Sequence, residues 1–378
     1  MRKLVTLALL AVAASAADKW TVQYFYDKLD SDLRVTDFAM PSATHGVLAG
    51  AITYRDKNPK PVVMVTTDGG TRWTEVAIKE IPRSIFFLND SLGWMVTEKA
   101  IWFTDESGRS WRKVSDQPKP KVAQRNAPPG ALLKVAFIDA MHGYGVGSGK
   151  TALETKDGGK TWVPIPEAEK PTGNPAFTAY SEISINLPRI VLGGTSIPPQ
   201  PNELRGRQLP TWMDPEAAKK RKTVANMIVL IQSIDGGKTW SPQSAPLIGS
   251  FQGYFEAGRT ALSLFRYPES FEWPTELFNV NATGQSASVF REKNRRVTSV
   301  RLFAGPDVYL GAVEPPGSIA SPIAPGKIRM LHSSDLRTWT ETPVDYRAVA
   351  SGVLIAGPDP AHLWAATDNG MVLRLESK

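Results

Sequence analysis

The densest group of side chains able to do chemistry in this 378-residue chain is a run of carboxylates, Glu256, Glu269, Glu272 and Glu276, interleaved with Tyr254, Phe255, Tyr267, Phe271 and Trp273. Carboxylates beside aromatic rings suit sugar binding, the rings stacking on pyranose faces while a carboxyl pair moves protons. The same composition also describes a solvated loop packed by its own aromatics. The four histidines, His45, His142, His332 and His362, lack metal-ligand spacing, and His45 and His142 both precede a strand glycine, as recurring turn residues would. Cysteine is absent, which excludes thiolate nucleophiles, thiolate metal sites, disulfides and a lipoprotein anchor together. There is no P-loop or dinucleotide fingerprint, and neither a cofactor nor a tightly bound metal is expected.

The elements that must position these groups show up as repeats. A pattern Ser/Thr-x-Asp-x-Gly-x-Thr-Trp recurs at uneven spacing: residues 66–73 (TTDGGTRW), 155–162 (TKDGGKTW) and 233–240 (SIDGGKTW). Weaker copies are 104–111 (TDESGRSW), with Glu106 at the acidic position, and 333–339 (SSDLRTW), one residue short. The acidic and tryptophan positions are therefore Asp68 and Trp73, Glu106 and Trp111, Asp157 and Trp162, Asp235 and Trp240, and Asp335 and Trp339. A remnant without tryptophan, Thr367-Asp368-Asn369-Gly370, closes the chain. In such a box the Asp and hydroxyl side chains bond backbone amides, the glycines permit positive φ, and the tryptophan folds back as an apolar plug. The carboxylates are thus committed to turn bonds rather than to calcium.

Apolar, β-rich runs precede each box, a short strand follows each tryptophan, and a Gly-aromatic or Gly-aliphatic strand lies upstream, as at 46–50 (GVLAG), 93–96 (GWMV), 143–147 (GYGVG) and 190–194 (IVLGG). Four antiparallel strands per unit, repeated radially, make a β-propeller blade. Units fall near residues 34–76, 83–114, 132–165, 177–242, 297–342 and 348–375, and 251–291 is long enough for one more although it has no box. The expected fold is all-β, a single propeller of seven four-stranded blades, with six or eight as the alternative counts. The last unit lacks its tryptophan and outer strand. Lys19-Trp20-Thr21-Val22 matches the missing ending and is expected to close the ring by pairing with the last blade.

The boxes resemble the Asp-box, or bacterial neuraminidase, repeat. The order GW-x-V-G, apolar strand, T-x-DGG-x-T-W is most similar to the photosystem II assembly and stability factor family, over residues 34–162 and again from 301 to the end. The resemblance implies a propeller, and it leaves function open, because the box is a structural turn shared by sialidases, xyloglucanases, receptors and assembly factors. A sialidase would need an arginine triad and a Tyr nucleophile paired with Glu. Phe265-Arg266-Tyr267-Pro268 looks like the first arginine segment of that family but follows four boxes instead of preceding the first. Arg266, Tyr267, Glu256, Glu269 and Glu272 are the catalytic candidates on the hydrolase reading.

Two departures from a bare propeller carry charge. An insertion at 197–224 within the fourth blade is proline-rich in front and ends in DPEAAKKRK, a short helix with Pro at its first position and basic residues at its end. Residues 291–301 hold a second basic cluster. Lys219, Lys220, Arg221, Lys222, Arg295 and Arg296 are the candidates for contact with an acidic partner. Residues 1–16 read as a secretory leader, with Arg2 and Lys3, an apolar run and Ala14-Ser15-Ala16. Removing them lowers the formal charge from +7 to +5, and no later segment is apolar enough to span a bilayer. The reading is an exported, monomeric propeller, residues 17–378, that scaffolds an envelope protein or binds a polysaccharide, and not nucleic acid. The competing reading is a glycoside hydrolase using the central cleft.

Overall fold

The computed structural model describes residues 18–120, 122, 130–198, 225–268, 271–281, 284–314, 325–345 and 348–376. The expected leader, Lys219, Lys220, Arg221 and Lys222 with nearly all of their insertion, and Glu269 lie outside the described residues. Among the described residues the strands form seven antiparallel sheets, spanning 31–77, 82–116, 132–164, 178–247, 250–291, 296–342 and 353–376. The sixth carries a fifth short strand, Val349–Ala350. The first strand of each sheet, Ser31–Ala39, Pro82–Phe87, Leu132–Phe137, Thr178–Asn186, Ser250–Ala257, Arg296–Leu302 and Val353–Asp359, touches the first strand of the next, and the last touches the first. That closed cycle puts the first strands around one axis and makes the molecule a seven-bladed propeller.

Closure uses both ends of the chain. Strand Lys19–Phe25 pairs antiparallel with Met371–Glu376 as the outer strand of the seventh blade, so neither edge is left open. Second strands such as Gly93–Thr97 and Gly143–Gly147 are buried throughout, because neighbouring blades cover both faces. Hence they read as unbroken apolar runs. Outer strands such as Ser241–Leu247 face solvent and lack that run of large apolar side chains.

Each of the first six innermost strands carries a bulge at a matching place, at Thr36, Arg83, Leu133, Ser181, Gln252 and Thr298, where one extra residue bends the strand around the axis. The partner strand must approach this kink closely. A Cβ on Gly147 would lie 1.7 Å from the Ala131 carbonyl oxygen and one on Gly50 2.0 Å from that of Arg34, which explains the glycines of the upstream strands.

The boxes are turns of one geometry. The Thr66 hydroxyl accepts from the Gly70 N–H (2.9 Å) and donates to Asp68 (3.0 Å), whose carboxylate accepts from the Arg72 N–H (2.9 Å). Thr155 with Asp157 and Ser233 with Asp235 repeat it, each Asp also accepting from a threonine hydroxyl at 2.6 Å. In the second box Glu106 takes only the Ser110 hydroxyl (2.8 Å), while Thr104 keeps its bond to the Gly108 N–H (3.0 Å). In the shortened sixth-blade box Leu336 takes the left-handed φ of 60° that three boxes give to glycine and the second gives to Ser107.

Candidate functional site

The tryptophan of each box packs between its own blade and the one before. Trp73 sits with the cluster joining blades seven and one, Trp111 with that of one and two, Trp162 with two and three, Trp240 with three and four, and Trp339 with five and six. In the last blade, which has no box tryptophan, Trp20 of the closing strand fills the junction with the sixth and is 1% exposed. Six junctions are thus closed by an indole.

The junction between blades four and five is different, because the fifth blade has no box. Where its third and fourth strands meet the connection, Asn281 Oδ1 accepts from the Gln285 N–H (2.9 Å). At this place lies a cavity of about 570 Å³. Blade four contributes Arg189, Val191, Leu230, Gln232 and Gln243, and blade five contributes Tyr254, Glu256, Arg259, Phe265 and Phe278 to its wall. Val191 stands three residues before Gly194 as Tyr144 stands three before Gly147, and the Tyr144 ring faces Trp240 at 5.5 Å in the previous junction. The cavity therefore occupies the position of a plug. Beside the cavity Phe251 packs over Gly193, where a Cβ on the glycine would meet its ring at 2.4 Å, and lies edge to face with Phe265 of the wall at 5.9 Å.

Among the described residues Glu256 is the one carboxylate on the cavity wall, and Arg189 holds it at 3.4 Å while also donating to Gln232 (3.2 Å). Burial pushes the Glu256 carboxyl above its ordinary range, against the pull of Arg189. Burial and the Glu256 charge push the Tyr254 phenol up to about 12, so it stays protonated at neutral pH. Arg259 is exposed at the rim and makes no ion pair among the described residues.

The acidic run of the fifth blade is not one cluster. Glu256 pairs with Ala261 and Glu276 with Phe265 along the same middle strand, four residues and about 13 Å apart. Glu276 is 5% exposed and accepts from Tyr267 (2.9 Å) and Arg291 (3.2 Å), while the Arg291 guanidinium lies 4.3 Å from the centre of the Trp273 ring. Burial and this bond raise the Tyr267 phenol. Tyr267 also stacks on Phe271 at 4.9 Å, so the group pins its own loop. Glu272 is exposed and pairs with Lys293 (2.9 Å). Arg266 is exposed beside Arg296, whose guanidinium is lowered first by burial and then by the Arg266 charge.

Of the basic candidates, Arg295 is held by Glu341 (3.1 Å), Glu314 (3.7 Å) and Glu292 (3.8 Å), and Arg296 donates to the Ser351 carbonyl. Arg329 joins the same two carboxylates, Glu314 and Glu341, beside a second cavity of about 420 Å³. Sequence reading missed the ion pair on the innermost strands, where Lys134 meets Glu182 at 2.7 Å. Asp37 lies near and accepts from the Phe38 and Ile85 N–H groups (2.8 and 2.9 Å). Burial opposes the Lys134 charge, yet Glu182 and Asp37 outweigh it and hold the ammonium above its ordinary range. No local motif announces these residues, since they come from three blades. The histidines pair singly, His142 with Glu154 (2.7 Å), His332 with Asp307 (2.6 Å) and His362 with Asp359 (2.9 Å), and the His45 Nε2 lies 2.9 Å from the Ser107 carbonyl. Among the described residues no three His, Asp or Glu side chains converge as metal ligands.

No protein-family profile matches the chain. Two solved structures superpose on it nearly end to end: YCF48 bound to D1 peptide, at a TM-score of 0.58 and 14% identity over 97% of each chain, and YCF48 from Cyanidioschyzon merolae, at 0.57 and 14% over 96% of this chain and 99% of that one. The chain has the fold of YCF48. The similarity to YCF48 at this identity is one of architecture, and it agrees with the resemblance carried by the boxes. In sequence, the chain is 45% identical over 58 residues to the chloroplastic photosystem II stability/assembly factor HCF136 of Oryza sativa subsp. japonica, a match spanning 14% of this chain and 14% of that protein. Among the described residues no helix is long and apolar enough to cross a membrane.

Proposed function

We propose that this chain is an exported scaffold that binds a segment of another protein at the cell envelope. The observation that carries the reading is the wall of the cavity between blades four and five, which among the described residues holds a single carboxylate, already clamped by Arg189, beside a phenol kept protonated. Two-carboxylate glycoside hydrolysis in this cavity would need a second acid within about 5–9.5 Å, and the described lining supplies none. A fold shared over 97% of the chain with YCF48, solved with a D1 peptide, supports a peptide or protein as the thing bound. Export rests on the leader pattern of residues 1–16.

The test pairs capture with turnover. Residues 17–378, immobilised and exposed to detergent-solubilised envelope extract, are expected to retain one partner in near-stoichiometric amount, and to leave a panel of chromogenic glycosides intact. Glycoside turnover that disappears in Glu256→Gln would replace the scaffold by the hydrolase. Amino-terminal sequencing of the protein recovered from its host is expected to begin near residue 17, and a retained leader removes the export.

A further inference from the structure

The open junction has a shape and a charge that specify an occupant. We infer that the cavity between blades four and five receives an aromatic side chain, an indole in the first place, from an acidic segment of a partner protein, in the place that a box tryptophan fills elsewhere in the ring. This rests on the scaffold reading above and adds where the partner docks and what it must carry.

Three observations support it. The first is the near-symmetry of the ring: Trp73, Trp111, Trp162, Trp240, Trp339 and Trp20 close the other six junctions, each delivered from the outer strand of its blade or from the residue just before it. In the fifth blade the residue just before the outer strand Ser286–Arg291 is Gln285, which is exposed. The second is the lining. Val191, Leu230, Phe265 and Phe278 give apolar walls, with Phe265 and Phe278 edge to face at 5.7 Å, and the volume of about 570 Å³ falls in the range that holds small ligands. A large aromatic ring is the group that gains most from such walls. The third is charge. Among the described residues Arg189 and Arg259 stand against Glu256 alone and Arg259 is unpaired at the rim, so the described lining is net positive and favours a carboxylate beside the inserted ring. A neutral sugar would use the aromatic walls but would leave the Arg259 charge unanswered.

The experiment uses the full purified protein and a fluorescein-labelled hexapeptide Gly-Ser-Trp-Asp-Asp-Ser, followed by fluorescence polarisation. One control peptide has Ala for Trp and another has Asn for both Asp. The wild type is expected to bind the first peptide saturably, and each control about tenfold or more weakly. Gln285→Trp, which restores the plug, is expected to abolish binding, and Arg259→Glu, on an exposed turn, to weaken it about tenfold with an unchanged melting temperature. No saturable binding by the wild type, equal binding of the Ala peptide, undiminished affinity in both variants, or displacement of the peptide by neutral oligosaccharides would each overturn the inference. The two proposals fail separately. A partner captured by Gln285→Trp as well as by wild type removes the wedge and leaves the scaffold, whereas a wild type that captures nothing removes the scaffold.

Discussion

Trp20 pairs with Leu375 across the ring closure, so the first strand of the propeller supplies the indole that the last blade lacks. The indole is packed among Val313, Met330, Ile355 and Leu373, from blades six and seven. Its removal opens a cavity in the junction that also joins the two ends of the chain. Trp20→Ala is expected to cost about 3–5 kcal/mol by chemical denaturation. Deleting residues 19–25 removes a whole strand and is expected to abolish cooperative unfolding. A melting curve unchanged by the deletion would show that the ring does not depend on this strand.

The box carboxylates set an acid limit. Asp235 is held down to about 2 by bonds from the Thr239 hydroxyl and backbone N–H, and Asp335 to about 2 chiefly by the Thr338 and Arg337 N–H groups. A carboxyl depressed in the folded state stabilises it above the unfolded pKa of about 4 and loses that contribution as pH falls toward 2. Melting temperature is therefore expected to fall steeply between about pH 4 and pH 2. Asp235→Asn should melt lower at pH 6 and show a shallower fall, and parallel curves for variant and wild type would contradict the assignment.

The bulges demand glycine opposite them. Gly147→Ala places a methyl group 1.7 Å from the Ala131 carbonyl oxygen, which only a backbone shift can relieve. The expected loss is about 1–3 kcal/mol, against a far smaller effect for Gly352→Ala, where a Cβ meets nothing within 4 Å and the backbone is not left-handed. Equal losses at the two positions would show that the close approach of the carbonyl is not the cause, since chain entropy alone favours the alanine.

Glu276 is read as a structural carboxylate. Glu276→Ala leaves the Tyr267 hydroxyl and the Arg291 guanidinium without their acceptor, and about 2 kcal/mol of stability is expected to go with it. Capture of the partner should survive in the folded variant. Loss of capture without loss of stability would move this cluster into the binding surface.

Restoring the plug should also stabilise the protein. Gln285→Trp fills a junction that the other six fill, and a gain of about 1 kcal/mol is expected for filling a cavity of this kind. An unchanged or lowered melting temperature would mean that the wedge is not a vacant plug position.

The blades were legible because their determinants are local. A box needs a hydroxyl, a carboxyl, a left-handed pair and a tryptophan within eight residues, and those residues stand together whatever the rest of the ring does. The closing strand was legible for the same reason, since Lys19-Trp20-Thr21-Val22 repeats an ending seen after other boxes. The site was less so. The run from Glu256 to Glu276 is compact in sequence, but strand pairing carries its members about 13 Å apart along one middle strand, to different partners. Arg189, which clamps Glu256, stands 67 positions before it and belongs to the neighbouring blade.

What the sequence determined by itself was the unit, its repetition and the blade without a box, because turn chemistry and strand patterning act over a few residues, while the count of seven was settled by the ring. What the tertiary structure decided was the meaning of the missing box. A plug works between blades, so its absence becomes a cavity only when the ring closes and brings Val191 and Leu230 of one blade against Phe265 and Phe278 of the next. Lys134 and Glu182 likewise meet only there, because the innermost strands of separate blades become neighbours around the axis.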